Sequence, residues 1–187
     1  YVRGAPHRII RAATYRFHGL VAQRWQHGRI FLGGDAAHQT PPFFGQGMCH
    51  GMRDVANLSW KFAAVMRSGA ASALLDTYQT ERDPHVRAVI AAAIAAGRYI
   101  CERDPATARA RDETLRAAMG KPAPASASDL IPPIRSGIVA RPTEARPGTG
   151  ARFIQPFVNA GGRRMLLDEA TGGGFVLLVR SGDVLAR

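Results

Sequence analysis

The sequence has no long apolar run. Within its 187 residues, the most apolar segment, Val86 to Ala96, is rich in alanine and shorter than the roughly 20 residues that a helix needs to cross a bilayer. With 46% apolar residues, the chain still has enough material for a packed core. The composition therefore predicts a soluble globular chain without a membrane partner, forming one domain or pieces of two.

Cysteine is scarce. Cys49 and Cys101 are far apart in the sequence and do not form the closely spaced framework of a disulfide-stabilised secreted domain. The chain begins at Tyr1 without a leader of basic and then apolar residues. We interpret this start as a cut through a longer protein. We therefore expect reduced thiols and a cytoplasmic location.

Lysine is nearly absent, although the formal net charge is +11. Apart from Lys61 and Lys121, the basic residues are arginines scattered from Arg3 to Arg187. A basic face attracts polyanions, so nucleic-acid binding is one hypothesis, but no basic run interleaved with aromatics supports it. We therefore predict no nucleic-acid partner. The charge is expected to balance an acidic part of a longer protein or to attract anionic ligands.

Short β-prone segments come first along the chain. Ala12–Val21 is partly alternating, and Arg29–Leu32 is a second apolar run that ends at Gly33-Gly34. These patterns predict two strands joined by a turn around Gln26-His27-Gly28. A loop rich in proline and glycine follows, from Asp35 to Gly47.

Helical periodicity begins after this loop. Six residues, five of them apolar, recur at spacings of four and three, which predicts a helix to about Arg67 with its methionines in the core. A second helix is predicted over 71–81. Asp83-Pro84 is interpreted as an N-cap followed by proline at the first position of a third helix, which ends near Ile100. The predicted core face of the first helix comprises Met48, Met52, Val55, Ser59, Phe62 and Met66.

A segment with little periodicity separates this region from the end of the chain. Residues 121–150 are rich in Pro, Ala, Ser and Gly, which is typical of a linker or of a segment that wraps a surface. Beyond it, Arg152–Val158 and Gly174–Arg180 are predicted strands, the second suited to a buried sheet position. The predicted organisation is therefore a domain over 1–120, a linker over 121–150 and a second domain over 151–187.

The loop before the first helix has the composition of a site for a polar, partly anionic ligand. Asp35 follows a strand and offers carboxylate acceptors to hydroxyl groups, while Gly45 and Gly47 allow close approach of the backbone. The free N–H groups at the start of the helix near Met48 can hold negative charge. Because a lone Gly-Asp turn is common, the prediction depends on the whole string, GRIFLGGDAAHQTPPFFGQGM from Gly28 to Met48.

This string resembles the second flavin fingerprint of the class A flavoprotein monooxygenases, the para-hydroxybenzoate hydroxylase-like family. In that pattern a strand leads into Gly-Asp-Ala-Ala-His, Pro-Pro and Gly-Gln-Gly before a helix that contains Asp and Asn-Leu. The resemblance covers most of residues 12–105 and is strongest to the 3-(3-hydroxyphenyl)propionate hydroxylases, because Gln39–Phe43, Gly47–Cys49 and Glu81–Val86 also match. The polyketide hydroxylases are close relatives and remain an alternative.

The resemblance implies an α/β fold: the C-terminal part of the FAD and substrate domain of a flavoprotein monooxygenase, followed by part of a thioredoxin-like domain. It implies FAD as the cofactor, NAD(P)H as the reductant, and O2 and a phenolic aromatic acid as substrates. The Gly-x-Gly-x-x-Gly turn that binds a pyrophosphate and the Asp-Gly motif of the family's middle region are absent from the sequence. We therefore expect a separate N-terminal dinucleotide-binding region. A non-catalytic fragment that acts as an interaction module is the other alternative.

The resemblance also implies roles for individual residues. Asp35 would accept hydrogen bonds from the ribityl chain of FAD, Gly34 would allow the turn, and Pro42 would pack beside the isoalloxazine ring with its carbonyl facing the substrate. The amides of Gly47 and Met48 would face the pyrimidine edge, where reduced flavin carries negative charge. The predicted cofactor-binding residues are Gly34, Asp35, Ala36, Pro42, Gly45, Gln46, Gly47 and Met48.

Other polar residues in this region are given less specific interpretations. His38, Cys49 and His50 have no fourth ligand at a zinc-like spacing, so no metal site is predicted. No side chain is an evident general base, and no catalytic residue is assigned. Asp54 and Asn57 either bind groups of the cofactor or anchor the helix to neighbouring loops, and anchoring is slightly favoured. The sequence does not indicate the oligomeric state.

Overall fold

The computed structural model describes Gly4 and residues 6–119, 131–139 and 148–178. The chain forms two compact units, with the boundary between Ala151 and Arg152. In the described ranges, no helix is both long enough and apolar enough to cross a membrane.

Two short antiparallel ladders begin the first unit. Strand β1 (Leu20–Val21) pairs with β4 (His38–Gln39), and β2 (Gln26–His27) pairs with β3 (Ile30–Phe31). The predicted strand over residues 12–21 is wrong for most of its length, because residues 6–19 are in no regular element and are exposed. β-propensity alone does not make a strand, since each ladder needs a partner, and β4 pairs only with the last two residues of this run.

Helix α1 spans Gly47–Ser68, which confirms the predicted helix. The prediction of which face is buried is wrong. The methionines assigned to the core are exposed: Met48 by 72%, Met52 by 61% and Met66 by 80%. The buried residues of α1 are instead polar, namely His50, Asp54 and Lys61. Charged partners on the next helix, described below, explain why this polar face is the one that packs inward.

Helix α2 is continuous from Ala73 to Ile100 and contains Pro84, so the prediction of two helices is wrong. Proline has no N–H, which leaves the Thr80 carbonyl, four residues earlier, without its helical donor. The Ser136 hydroxyl donates to this carbonyl at 2.8 Å and compensates for the loss. Asp83, predicted to be an N-cap, forms an ion pair with Arg87 at 2.8 Å.

Helix α3 (Pro105–Ala118) was not predicted. It begins at Asp104, whose carboxylate accepts a hydrogen bond from the Thr107 N–H at 2.8 Å. Proline follows at the first helical position, where its missing N–H has no cost. Asp104 and Pro105 are therefore the N-cap and first helical residue, which is the role predicted for Asp83 and Pro84.

Trp25 is at the centre of the apolar core and is fully buried. Its ring packs edge-on against the ring of Tyr78, with 5.5 Å between the ring centroids. Its backbone N–H donates to Gln79 Oε1 at 2.9 Å. The Tyr78 hydroxyl donates to the Leu32 carbonyl at 3.0 Å. These contacts fix α2 to the chain segment that leads into Gly33 and Gly34.

Residues 131–139 of the predicted linker lie against α2. The Ile138 N–H donates to Glu81 Oε1 at 2.9 Å, and Ser136 contacts Thr80 as noted above. Linker positions 121–130 and 140–147 lie outside the described residues. The predicted domain limits remain a prediction.

The second unit contains a hairpin of β5 (Phe157–Ala160) and β6 (Arg163–Leu166), followed by helix α4 (Leu167–Thr171). Gly161 and Gly162 form the turn with φ of 56° and 76°, which only glycine adopts readily. The predicted strand over 152–158 overlaps β5 at two residues, and β6 was not predicted. Residues 174–178 of the other predicted strand are in no strand, and 179–180 lie outside the described residues. A thioredoxin-like character for this unit remains a prediction.

The close packing of Gly97 on α2 against Phe43 generates a stability prediction. A Cβ at Gly97 would lie 2.7 Å from Phe43 Cζ, 2.8 Å from Cδ2 and closer still to Cε2. An exposed helical Gly→Ala change stabilises by roughly 1 kcal/mol, but here overpacking costs about 1–3 kcal/mol. We expect Gly97→Ala to lower the free energy of unfolding measured in urea. Ala95→Gly, exposed on the same helix, calibrates helix propensity, and a Gly97→Ala variant stabilised by the full propensity gain would contradict the packing.

Candidate functional site

A cleft of about 500 Å³ lies between two segments that the β1–β4 ladder brings together. Because the two strands are antiparallel, the chain before Leu20 runs beside the chain after Gln39. The opposite side of the cleft is the start of α1. The lining residues are Tyr15, Arg16, Phe17, His18, Asp35, Gln39, Thr40, Gly47 and Met48.

Three of the eight predicted cofactor-binding residues line this cleft: Asp35, Gly47 and Met48. Asp35 is exposed in the middle of a 3-10 turn, Gly34–Ala36, here called the Asp35 turn. Its carboxylate has no hydrogen-bond or ion-pair partner among the described residues. It is therefore free to accept hydrogen bonds from a ligand.

The other predicted residues surround the cleft without lining it. Pro42 begins a second 3-10 turn, and its carbonyl accepts the Gly45 N–H at 3.0 Å, which leaves one lone pair for another donor. The Gln46 side chain accepts a hydrogen bond from Arg53 at 3.3 Å. Gly34 and Ala36 flank Asp35 in its turn.

The start of α1 presents positive charge to the cleft. No side chain caps the helix at Gln46, its first turn holds no acidic residue, and the first helical hydrogen bond runs from the His50 N–H to the Gln46 carbonyl. The preceding N–H groups, including those of Gly47 and Met48, therefore have no acceptor within the helix. Together with the helix dipole, they favour an anionic group in the cleft.

The residues across the cleft were not predicted from the sequence. Arg16 and His18 line it, and the buried hydroxyl oxygen of Thr40 has no hydrogen-bond partner within the described part of the chain. Thr40 lies inside the fingerprint, so its place in the motif was an available signal. The position of residues 15–18 follows from the β1–β4 ladder and has no local sequence signal.

A buried carboxylate lies directly behind the Asp35 turn. Asp54 on α1 is 1% exposed. Its Oδ2 accepts hydrogen bonds from the Gly34 N–H at 3.0 Å and from His38 Nε2 at 2.6 Å, and its Oδ1 accepts one from Arg82 Nε at 2.8 Å. We call these four residues the Asp54 network. Asp54 thus connects α1 to the turn, to β4 and to α2.

The charge state of Asp54 follows from these contacts. Burial raises the pKa of Asp54, but hydrogen bonds from His38 and Arg82, the charge of Arg82 and the Gly34 N–H together hold it below its ordinary value. The carboxylate is therefore ionised at neutral pH. A protonated oxygen could not accept all of these hydrogen bonds equally well.

A second buried ion pair connects α1 and α2. Glu81 Oε2 accepts hydrogen bonds from Lys61 Nζ at 2.7 Å and from Asn57 Nδ2 at 2.6 Å. Burial raises the pKa of Glu81, but these two hydrogen bonds and the Ile138 N–H outweigh that effect and lower it. Asn57, like Asp54, therefore anchors α1 to its neighbours.

Three histidine rings form a row beside Arg82. The ring centroids are 5.8 Å apart for His38 and His50, and 5.4 Å apart for His50 and His85. Burial, followed by the charge of Arg82, lowers the pKa of His50 to about 3 and that of His85 to about 4. These two rings are neutral at pH 7. Among the described residues, no three His, Cys, Asp or Glu side chains are placed to bind a metal ion.

Comparison with known proteins identifies a sequence family for the part of the chain that forms the cleft. Residues 2–93 match the sequence model of the FAD binding domain family, so this part of the chain belongs to that family. The segment includes the cleft, the Asp35 turn, α1 and the Asp54 network. The chain is thus a mixed α/β chain with a partial FAD-binding domain.

Individual relatives are aromatic hydroxylases by name. The chain is 39% identical to the "Probable NADH-specific resorcinol 4-hydroxylase" of Rhodococcus jostii (strain RHA1), over 95% of this chain and 32% of that protein. It is 39% identical to a 3-(3-hydroxy-phenyl)propionate/3-hydroxycinnamic acid hydroxylase of Mycobacterium sp. (strain JLS), over 91% of this chain and 31% of that protein. It therefore spans about a third of the length of these curated relatives.

One of the similar solved structures is also an aromatic monooxygenase by name. The crystal structure of p-nitrophenol 4-monooxygenase PnpA from Pseudomonas putida DLL-E4 is similar with a TM-score of 0.53 and 32% identity. The similarity covers 62% of this chain and 31% of that one. The resemblance to flavoprotein aromatic monooxygenases found in the sequence is thus confirmed.

The lowered pKa values of His50 and His85 predict acid sensitivity. The unfolded chain takes up these protons near pH 6.5, whereas the folded chain does so only near pH 3 and 4. Between these limits the unfolded state binds more protons, so the free energy of unfolding falls as the pH falls. The free energy of unfolding should therefore fall less between pH 6.5 and 4 in the His50→Gln and His85→Gln variants than in the parent chain. We expect a difference of roughly 1 kcal/mol or more for each variant.

Urea unfolding at several pH values measures this effect. Asp54 causes a separate loss below about pH 4, because the unfolded chain protonates this carboxylate near its ordinary pKa of 3.8 while the folded chain, with a lowered pKa, holds it ionised. This loss should remain in both variants. His27→Gln, at an exposed position of β2, is the matched control and should leave the profile unchanged. The prediction would be contradicted if the free energy of unfolding depended on pH equally in all three variants.

Proposed function

We propose that the chain supplies the ribityl-binding part of the FAD site in an NAD(P)H- and O2-dependent monooxygenase that hydroxylates a phenolic aromatic acid. One observation carries the proposal: the free Asp35 carboxylate lines a cleft that also contains the uncapped start of α1. A flavin needs acceptors for its ribityl hydroxyls and donors for its anionic pyrimidine edge, and the two sides of this cleft supply them.

The residues have distinct roles in this proposal. Asp35 accepts hydrogen bonds from ribityl hydroxyls, and Thr40, whose hydroxyl lacks a partner, is a further polar contact. The amides of Gly47 and Met48 donate to the pyrimidine edge and stabilise negative charge there. Pro42 would pack beside the isoalloxazine ring, and its carbonyl, which accepts the Gly45 N–H, retains one lone pair for a second donor. When bound, the flavin supplies the redox and oxygen-transfer chemistry.

The substrate class is inferred from the relatives. Their names specify resorcinol, 3-(3-hydroxyphenyl)propionate and p-nitrophenol as substrates, and all three are phenols. One of the names also specifies NADH, which favours NADH over NADPH as the reductant here. The positive charge of Arg16 and the α1 start suits anionic cofactors and acids.

A further part of the protein is expected to complete the site. The relatives are about three times as long as the region they share with this chain, and the pyrophosphate-binding turn is absent from this sequence. We infer that a dinucleotide-binding region binds the ADP half of FAD. The exposed methionine face of α1 is a surface that such a region can cover. Reduced cysteines are consistent with a cytoplasmic location.

A flavin titration tests the proposal. We expect the purified chain to bind FAD saturably, by absorbance and fluorescence, and Asp35→Ala to weaken binding roughly tenfold because hydrogen bonds to a charged acceptor are lost. Asp76→Ala, which removes an exposed carboxylate at the start of α2, is the charge-matched control and should bind like the parent. Equal affinity of the Asp35→Ala and Asp76→Ala variants would exclude the assigned role of Asp35.

A further inference from the structure

The Asp35 turn lies directly on the backbone of α1. Gly34 has a φ of 57°, and a Cβ added to it would lie 3.6 Å from Gly51 Cα. A Cβ added to Gly51 would lie 3.4 Å from Gly34 Cα. An added methyl group at either position would thus be in ordinary van der Waals contact with the facing backbone. The two backbones therefore approach so closely that a branched side chain at Gly51 would press on the turn.

The same part of α1 also holds the turn by a hydrogen bond. Asp54 follows Gly51 by three residues and so lies on the same face of the helix. Its Oδ2 accepts the Gly34 N–H at 3.0 Å. The N–H that is held belongs to the residue immediately before Asp35, so this bond fixes the backbone from which the Asp35 side chain extends.

The Asp54 carboxylate is itself rigidly held. Arg82 on α2 binds one oxygen, and His38 on β4 binds the other. The Asp54 side chain is fully buried and does not line the cleft. Asp54 therefore does not contact a ligand in the cleft, and its hydrogen bond to the Gly34 N–H connects it to the turn that carries Asp35.

We propose that Asp54 is a positioning residue for the flavin site: with Gly51, it fixes the Asp35 turn on helix α1 and so orients the Asp35 carboxylate toward the cleft. The ligand in this inference rests on the proposed function, whereas the connection between Asp54 and the turn rests on geometry alone. Glycine at 34 permits many backbone conformations, so the turn depends on outside contacts for one defined position. A binding group is effective only when such supporting contacts hold it in place.

A double-mutant cycle distinguishes positioning from a general structural role. Asp54→Asn should weaken FAD binding roughly tenfold in the parent chain. In the Asp35→Ala background it should change affinity less than about twofold, because there is no carboxylate left to orient. Equal losses in both backgrounds would overturn the proposal. Asp83→Asn, the same substitution in the exposed Asp83–Arg87 pair, should bind FAD like the parent.

A measurement without flavin separates this inference from the proposed function. Amide hydrogen exchange by NMR should show the Gly34 N–H exchanging at least about tenfold faster in Asp54→Asn, with the Trp25 N–H unchanged. No selective change at Gly34 would overturn the proposal. If the parent chain fails to bind FAD, the proposed function fails and the exchange result alone decides whether Asp54 positions the turn.

A second variant keeps the test valid if Asp54→Asn does not fold. Gly51→Val leaves the Asp54 network chemically intact but places methyl groups against Gly34. It should weaken FAD binding severalfold and alter the NMR shifts of Gly34 and Asp35. Ala56→Val, at an exposed position of α1, introduces valine without this contact. Identical affinities and identical Gly34 shifts for the two valine variants would show that the contact does not position the turn.

Discussion

The buried charge of Asp54 is the constraint on which the arrangement of this chain depends. A carboxylate removed from water is stable only when hydrogen-bond donors and an opposite charge surround it, and removing one partner of such a pair costs about 3–5 kcal/mol. Arg82, His38 and the Gly34 N–H meet this requirement. Since they lie on α2, β4 and the Asp35 turn, satisfying one charge brings three separate segments to one face of α1.

The same network also determines the electrostatics of the cleft. Because Arg82 neutralises Asp54 behind the turn, the buried carboxylate adds little negative potential in front of it. The uncapped N–H groups of α1 and the nearby Arg16 then dominate on the ligand side, with the Asp35 carboxylate as a local hydrogen-bond acceptor. Acceptors for hydroxyls and donors for an anion can therefore lie a few residues apart without cancelling each other.

The sequence was informative about local structure and less so about partners. Periodicity located α1, but it could not show that its polar face is buried, since that depends on Arg82 and Glu81 of another helix. Asp-Pro begins a helix at Asp104 and lies inside one at Asp83, because Ser136 satisfies the carbonyl that Pro84 leaves free. In the cleft, the fingerprint indicated Asp35, Gly47 and Met48. Arg16 and His18 join them through strand pairing, which local sequence does not encode.

The neutral rings of His50 and His85 connect the acid stability of the fold to the geometry of the proposed site. A protonated His50 would place a second cation beside Arg82 in the same buried region, and the Coulomb repulsion there is weakly screened. Arg82 is also the residue that neutralises Asp54, which in turn holds the Gly34 N–H. Protonation of His50 therefore acts on the same contacts that fix the Asp35 turn. It follows that the turn should lose its defined position at or above the pH at which the fold itself is lost.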